Sequence, residues 1–320
     1  MVDVLSHCEE DFLATHGVDK GIMQLIDLER GAHLYDHVGS AIEMSGGSAA
    51  NTIAGIAHLG GRVAYVGKVK DDQLGHIFAH DLRAQGATYE VSLAEANHEH
   101  ETGRCIVLVT PDGERSMNTY LGVTEHLSPD DIDDAMMEAA DWIFLEGYRF
   151  DGPESHEAFA KAISATKRGG GKVSITLSDP FCINRHRDAF SRMIRDDVDL
   201  LFANRVEIET MYESAGSFDA ALEAAAAEVE VVVCTESEHG VHIMADGKRI
   251  HCPAVPTKVV DATGAGDLFA GAFLWGLSEG YDLETCGIMG NIAASEVISH
   301  LGARVESDLK ERFKSFGLAL

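Results

Sequence analysis

A stretch of small residues, Asp261 to Asp267 (DATGAGD), runs directly into an apolar segment, Leu268 to Trp275, that favours a helix. Glycines at the start of a helix leave backbone N–H groups free, and these groups attract anions such as phosphate. A carboxylate in the first turn, here Asp267, would repel a phosphate that is merely bound, but it suits a general base that takes a proton from a hydroxyl attacking the phosphate. The stretch therefore indicates phosphoryl transfer.

A glycine-rich turn of this kind can also be purely structural or bind a dinucleotide. Taken alone, two glycines and an aspartate before a helix are explained equally well by a tight turn with a charge that favours the helix dipole. A dinucleotide-binding fingerprint needs a third glycine where the chain has Phe269. The P-loop pattern is also absent, since Gly171-Lys172, for example, is followed by Val173. The sequence thus excludes a Rossmann dinucleotide site and a P-loop kinase.

The overall charge limits the range of partners. The chain has 53 acidic and 25 basic residues among 320, a formal net charge of −28. Nucleic acids and anionic membranes bind clustered Lys and Arg, so we expect neither as a partner. ATP is itself an anion, so its binding would need local cations, and Mg²⁺ with a few arginines would supply them.

The cysteines and histidines suggest no structural metal or disulfide framework. The six cysteines form no CxxC pair and no signal peptide opens the chain, so we expect reduced thiols in a cytoplasmic protein. No apolar run approaches the roughly 20 residues that a membrane-spanning helix needs. The segment His98-Glu99-His100-Glu101 has metal-ligand residue types, but a solvated loop explains it better.

Apolar periodicity predicts the elements that would carry these residues. Short apolar strands alternate with helical patterns after residue 127, which is typical of a doubly wound, mostly parallel α/β sheet. Earlier, Ser48 is a plausible N-cap for a helix from Ala49 to Leu59, and a hairpin turns at Pro111-Asp112-Gly113. The predicted elements are a helix at 10–16, strands at 21–26 and 62–67, a helix at 73–85, strands at 142–146, 172–177, 198–202 and 231–235, and helices at 153–168, 184–195, 265–279 and 284–300.

The alternating pattern suggests two parts. We predict an α/β core formed by residues 1–3, 27–99 and 123–320, and a small β lid formed by residues 4–26 and 100–122. Asn204 and Glu207 follow a core strand and could hold water around a divalent ion, although helix capping explains them equally well. The segment Thr235 to Gly240 follows the next strand and could line a nucleotide, although an ordinary turn is the simpler interpretation.

Taken together and in order, these motifs resemble those of the ribokinase-like carbohydrate kinase family, often called PfkB. The late signature is intact at Asp261 to Asp267, the early G-G-x-x-x-N signature matches Gly46, Gly47 and Asn51, and the N-x-x-E element matches Asn204. The resemblance spans nearly the whole chain. It implies a ribokinase-like fold and an ATP-dependent kinase.

By that resemblance Asp267 is the general base, and the backbone of Gly264, Ala265 and Gly266 forms an anion hole for the transferred phosphoryl group. Further roles are implied for residues around it. Asn204 and Glu207 would hold Mg²⁺ through water, Thr235, Gly240 and Asn291 would lie along ATP, and Asp261 and Thr263 would adjoin a monovalent cation such as K⁺. The nucleotide loop, TESEHG, departs from the T-x-G-x-x-G of many members.

Within the family, the chain resembles adenosine kinases in the residues that would face the acceptor. Asp3 would accept two ribose hydroxyls, Arg115 would clamp phosphate, and Tyr148 would stack on a purine. Gly46, Gly47 and Asn51 would complete the substrate site, beneath apolar lid residues such as Met23 and Leu25. The structural alternatives for the first three are a surface Asp, a hairpin-edge Arg and a half-buried Tyr.

One departure from the family concerns the first core strand. Members normally begin with a buried apolar strand and a G-N motif ahead of the segment equivalent to Val2-Asp3-Val4, whereas Met1 stands here where that strand should end. Either the start was assigned too far downstream or the strand is absent. Its absence would leave neighbouring strands unpaired and Asp3 poorly anchored.

The sequence therefore predicts a cytoplasmic enzyme, monomer or homodimer, that transfers the γ-phosphate of ATP to the 5′-hydroxyl of adenosine, as in purine salvage. Two alternatives stay open: the same chemistry on a sugar such as ribose or fructose, and a non-catalytic nucleoside-binding relative. The intact Asp267 favours catalysis, because a pure binder has no use for a base aimed at the acceptor.

Overall fold

Among the residues that the structure describes, the strands form two sheets, and the larger has six strands in the order β11-β10-β9-β8-β7-β6. The structure is a computed structural model that describes residues 1–90, 93–213 and 216–320. Strands β6 to β9 are parallel, and the hairpin β10-β11 adds to β9 in the antiparallel direction. The strands are β6 (Trp142–Glu146), β7 (Lys172–Thr176), β8 (Leu200–Asn204), β9 (Val231–Thr235), β10 (Val241–Ala245) and β11 (Lys248–Cys252).

Helices cover both faces of this sheet, which confirms the predicted doubly wound α/β architecture. Alternate residues of one strand point to opposite faces, so Leu201 packs with α6 to α9 whereas Leu200 packs with α10 and α11. The core helices are α3 (Ser48–His58), α4 (Gln73–Ala84), α5 (Asp134–Glu138), α6 (Ser155–Gly169), α7 (Pro180–Asp197), α8 (Arg205–Met211), α9 (Phe218–Ala226), α10 (Ala265–Ser278), α11 (Leu283–Val297) and α12 (Leu309–Ser315). None of the helices in the described ranges has the length and apolarity that a membrane crossing requires.

Close packing of α3 against α10 positions the site at their N-termini. A Cβ atom on Gly271 of α10 would lie 2.7 Å from the carbonyl oxygen of Thr52 in α3. A Cβ on Gly55 would lie 2.7 Å from Cδ1 of Leu268. Glycine at these crossing points therefore lets the two helix backbones approach each other closely.

The smaller sheet has five strands in the order β2-β5-β4-β1-β3. Its strands are β1 (Val2–His7), β2 (Met23–Leu25), β3 (Ala41–Ser45), β4 (Arg104–Val109) and β5 (Arg115–Tyr120), and two helices, α1 (Glu10–His16) and α2 (Leu28–His37), connect them. The hairpin at Pro111-Asp112-Gly113 forms as predicted. Strand β3, from the segment 27–99 that was predicted to belong to the core, pairs with Val2 to Ser6 of β1 in this smaller sheet.

Residues 62–67, predicted as a strand, form only an extended segment in the structure. A single isolated bridge joins Ala64 to Thr88. The other side of the segment faces a cavity of about 1790 Å³, and Trp142 to Leu145 of β6 line the same cavity. In the described residues β6 is an edge strand of the core sheet. The segment lacks a ladder because a strand requires a hydrogen-bonded neighbour.

Two helix starts differ from prediction for local reasons. Helix α7 begins at Pro180 instead of residue 184, because Asp179 accepts a hydrogen bond from the backbone N–H of Cys182 at 2.7 Å and caps the helix there. Gly47, not Ser48, is the N-cap of α3. The Ser48 hydroxyl is used elsewhere.

Candidate active site

The late signature forms the predicted turn into a helix. Gly264 adopts a left-handed conformation (φ 80°) as the N-cap of α10, a backbone geometry that glycine accepts at little cost. The N–H groups of Gly264, Gly266 and Asp267 make no hydrogen bond within the described ranges. The N–H of Ala265 instead donates to the carbonyl oxygen of Ala262 at 3.3 Å, so its predicted part in the anion hole is not seen. Three free donors thus remain at the helix N-terminus.

The carboxylate of Asp267 is held from both sides by α3. Its Oδ1 accepts the Ser48 hydroxyl at 2.6 Å, and its Oδ2 accepts Nδ2 of Asn51 at 2.7 Å. Burial raises the pKa of Asp267 to about 6, while the bonds from Ser48 and Asn51 oppose that rise. Asn51 was predicted to bind substrate, but its amide is engaged by Asp267. Residues of α3 therefore hold the Asp267 carboxylate in one orientation.

Asp3 lies in the same cavity, at the start of the lid sheet. Burial raises its pKa to about 6, opposed by the charges of Arg304, the terminal amine of Met1 and Arg115. A Cβ on Gly46 would lie 2.1 Å from Cγ of Asp3, so the early signature keeps space for this carboxylate. Gly47 also lines the cavity and has φ 95°.

Arg115 of the lid points at the late signature rather than into open space. Its guanidinium forms an ion pair with the buried carboxylate of Asp261, and its Nη1 donates to Oγ1 of Thr263 at 2.7 Å. Asp261 also accepts the N–H groups of Thr263 at 2.9 Å and Gly302 at 2.7 Å. The two residues predicted to adjoin a monovalent cation are thus already bound to a cationic side chain, which joins lid to core.

The N-x-x-E element forms a complete capping box at the start of α8. Asn204 Oδ1 accepts the N–H of Glu207 at 2.9 Å, and both carboxylate oxygens of Glu207 accept donors of Asn204, at 2.6 and 2.9 Å. Burial raises the pKa of Glu207 to about 7, and the neighbouring charges of Asp179 and Asp267 add to that rise. The capping alternative is therefore realised, while both residues still line the cavity.

An acidic cavity wall of this kind suits a hydrated cation. In the described ranges, no three His, Cys, Asp or Glu side chains converge tightly enough to hold a metal ion directly. Carboxylate and amide oxygens at Asp179, Asn204 and Glu207 nevertheless line one cavity, and Mg²⁺ prefers oxygen ligands while keeping several of its waters. These residues fit a Mg²⁺ ion that is bound through water and phosphate.

The remaining predicted residues divide into two groups. Tyr148 and Thr235 line the cavity, and burial raises the pKa of the Tyr148 hydroxyl. Gly240 and Asn291 do not line it. Gly240 (φ 92°) packs against the carbonyl oxygen of Cys252, and the Asn291 amide donates to that same oxygen at 3.1 Å. These last two residues therefore support the segment after β11.

Three functional residues were not predicted. Ser48 donates to the Asp267 carboxylate, Glu146 accepts the N–H of Ala49 at 2.9 Å and so orients the start of α3, and Arg304 donates to Asn51. Glu146 could have been found, because it ends a predicted strand next to Tyr148. Arg304 belongs to no sequence motif.

Comparison with known proteins agrees with this geometry. The family model "pfkB family carbohydrate kinase" matches residues 18–310. Similar solved structures include a probable sugar kinase from Rhizobium etli (43% identity, 99% of this chain and 96% of the other, TM-score 0.91). They also include the adenosine kinase from Sinorhizobium meliloti (42% identity, 99% and 96%, TM-score 0.91). A 5-dehydro-2-deoxygluconokinase from Shouchella clausii is 29% identical over 79% of this chain and 80% of its own length.

These relatives are kinases that differ in acceptor, and the family match covers most of the chain. The matched region contains the oriented carboxylate and the free backbone donors described above. Transfer of phosphate from ATP to a hydroxyl group is the chemistry common to them. The chain therefore belongs to the pfkB family of carbohydrate kinases and is an ATP-dependent phosphotransferase that acts on the hydroxyl group of a nucleoside or sugar.

Proposed function

We propose that the protein transfers the γ-phosphate of ATP to the 5′-hydroxyl of adenosine. The observation that carries this proposal is the carboxylate of Asp267, held by Ser48 and Asn51 beside three free N–H groups at the start of α10. A base and an anion site within the first turn of the same helix serve the two ends of one phosphoryl transfer. The choice of adenosine rests on the residues at the acceptor side of the cavity.

The acceptor side combines one carboxylate with flat and apolar surfaces. Asp3 would accept the two ribose hydroxyls, and Tyr148 would stack on the purine. Met23 and Leu25 of the lid are 38% and 55% exposed and line the same cavity, so closure over an apolar base would remove them from water. A free sugar offers these residues no comparable apolar surface.

The reaction then follows from the positions of the groups. Asp267 takes the proton from the 5′-hydroxyl as its oxygen attacks the γ-phosphorus, and the phosphoryl group transfers to that oxygen while ADP leaves. The free N–H groups of Gly264, Gly266 and Asp267 stabilise the charge on the transferred group. Mg²⁺, when bound with ATP, neutralises phosphate charge near Asn204 and Glu207. Closure of the lid excludes water, which prevents hydrolysis of ATP.

Arg115 would act as the lid closes. It was predicted to clamp phosphate, and it lies here against Asp261 and Thr263, immediately before the anion-binding turn. A phosphate at that turn would compete with Asp261 for the guanidinium. Arg115 would therefore serve as the local cation at this turn, with K⁺ as an alternative partner for Asp261.

The compartment would be the cytoplasm, because the six free thiols suit a reducing environment.

A sugar acceptor is the second candidate, because the Rhizobium etli and Shouchella clausii relatives carry sugar-kinase names. The deciding experiment measures ATP-dependent phosphorylation of adenosine, inosine, ribose and fructose, with a control lacking acceptor. We expect kcat/KM for adenosine to exceed that for ribose by at least about 100-fold. This ratio corresponds roughly to the binding free energy that stacking a buried base on one aromatic side chain contributes.

Three other outcomes would be informative. Preference for ribose or fructose would replace adenosine by a sugar and remove the stacking role of Tyr148. Adenosine binding without turnover, equally tight in Asp267→Asn, would identify a non-catalytic nucleoside-binding protein. Rapid ATP hydrolysis in the absence of acceptor would contradict the role of the lid in excluding water.

A further inference from the structure

Arg304 lies behind the site, in the segment between α11 and α12, and does not line the cavity. Its Nε atom is buried and has no hydrogen-bond partner within the described ranges. Instead, Nη1 donates to Oδ1 of Asn51, and Nη2 donates to the carbonyl oxygen of Ser45 at 2.6 Å and to its Oγ at 2.7 Å. Nη1 also lies 3.5 Å from the carbonyl oxygen of Ala303, so the hydrogen bonds of this half-buried cation all go to neutral groups.

The direction of the Asn51 amide follows from this contact. A guanidinium has donors only, so the amide must present its oxygen to Arg304. The amide nitrogen then faces the opposite way and donates to Oδ2 of Asp267 at 2.7 Å. With the amide turned over, its oxygen would face a carboxylate, and two acceptors cannot form a hydrogen bond.

Ser45 gives Arg304 a second connection. This residue ends β3 of the lid sheet, and its Oγ, which accepts from Arg304, donates in turn to Oδ2 of Asp81 in α4. Arg304 therefore links the C-terminal part of the core, the lid sheet and the base-holding amide. Each link uses a different nitrogen of one planar group, an arrangement that a lysine could not reproduce.

We propose that Arg304 is a positioning residue for phosphoryl transfer: through Asn51 it fixes the hydrogen bond that orients Asp267, and through Ser45 it ties that orientation to the lid. The inference rests on the proposed role of Asp267 as the base. It assigns a function to a side chain that does not line the cavity.

The electrostatic surroundings give this role a measurable signature. The groups that face Asp267 are Glu146 from β6, Glu207 from α8, Tyr148 and Arg304. Of these only Arg304 is cationic, and its charge lowers the pKa of both Asp267 and Asp3. Loss of Arg304 should therefore raise the pKa of the base as well as free the Asn51 amide.

The first test compares Arg304→Met and Arg304→Lys with the wild type in kcat as a function of pH. We expect Arg304→Met to lose roughly 10- to 100-fold in kcat, as a misplaced catalytic group does, with its acid limb moved to higher pH. Arg304→Lys keeps the positive charge but lacks the planar guanidinium with its several donors. Its kcat should therefore fall, while the acid limb of its pH profile stays in place. Wild-type kcat and acid limb in Arg304→Met would overturn the proposal.

Arg104→Met is the matched control. Arg104 is a buried arginine whose Nε, like that of Arg304, is buried without a partner, but it lies in the smaller sheet and pairs with Glu101. Its removal should lower thermal stability and leave the pH profile unchanged. An equal loss of kcat and the same profile in the Arg104 and Arg304 variants would reduce Arg304 to a structural residue. If Arg304→Met does not fold, Arg304→Lys still decides, because wild-type kcat there would exclude positioning by the fork.

A double-mutant cycle tests whether Arg304 acts through Asn51. If it does, Asn51→Ala combined with Arg304→Lys should be no slower than Asn51→Ala alone. Full additivity of the two losses in kcat would contradict an action of Arg304 through Asn51.

A direct titration separates this inference from the proposed function. ¹³C NMR of the aspartate carboxyl groups, with Asp267→Asn for assignment, measures the pKa of Asp267 without any turnover. A higher pKa of Asp267 in Arg304→Met supports the link even if no acceptor is phosphorylated, and an unchanged pKa refutes it.

Discussion

Replacing Gly46 by alanine should damage acceptor binding through Asp3 and little else. A Cβ at position 46 would lie 2.1 Å from Cγ and 2.2 Å from both oxygens of Asp3, whereas ordinary contact begins at 3.4 Å. The carboxyl group must therefore move by about 1.2 to 1.3 Å (3.4 minus 2.2 or 2.1). A shift of that size breaks a well-formed hydrogen bond to the acceptor.

The size of the effect follows from the bond that is lost. A hydrogen bond to a charged group contributes about 1.5 to 3 kcal/mol, so kcat/KM for adenosine should fall about 10- to 150-fold per bond. ATP affinity should stay unchanged, because the nucleotide-side residues are untouched. Steady-state kinetics with each substrate varied in turn measures both quantities.

Gly39→Ala provides the control. No atom lies within 4 Å of a Cβ at position 39, and its backbone is outside the left-handed region, so this variant should behave as wild type. An unchanged kcat/KM in Gly46→Ala would refute the placement of Asp3 against the acceptor. An equal loss of affinity for ATP and adenosine would show a general distortion instead.

Three further variants test the packing and charges of the site by thermal unfolding. Gly271→Ala should lose about 1 to 3 kcal/mol, because its Cβ would meet the backbone oxygen of Thr52 at 2.7 Å and push α10 from α3; full stability would contradict that crossing. Arg115→Met should lose about 3 to 5 kcal/mol by leaving the buried Asp261 without its cation, and an unchanged melting temperature would refute the ion pair. The pKa of Asp267 rises from 3.8 to about 6 on folding, so its ionised form destabilises the fold. The free energy of unfolding of Asp267→Asn should therefore exceed that of the wild type by up to about 3 kcal/mol at pH 8, and this difference should disappear as pH falls from about 6 to about 4. A difference independent of pH would contradict the raised pKa.

The features that sequence predicted well are local. The turn at Gly264 needs a residue that accepts a left-handed backbone next to an apolar helix, and neighbouring residues in the sequence determine both properties. Strands β6 and β9 have the predicted bounds because each is a short apolar run between polar segments. The capping box of Asn204 and Glu207 spans four residues and was foreseen as one of two interpretations.

The features that sequence missed depend on contacts between distant segments. Serine is a common N-cap residue, but the Ser48 hydroxyl donates a hydrogen bond to Asp267, which lies 219 residues further along the chain. Arg304 meets Asn51 across 253 residues, so no spacing rule could connect them. Residues 62–67 have strand composition, yet a ladder forms only where a neighbour exists, and their neighbouring position is a cavity. Sequence pattern predicts conformation, while pairing is decided by tertiary packing.

The central claim is that Asp267 is the general base of phosphoryl transfer to a hydroxyl acceptor. The most direct measurement is the single-turnover rate of phosphate transfer from ATP to adenosine in Asp267→Asn, with ATP affinity measured alongside and the exposed turn residue Asp246 changed to Asn as control. The account predicts a rate about 10²- to 10⁴-fold lower, with ATP affinity retained and a control at the wild-type rate. A near wild-type rate in Asp267→Asn would contradict it.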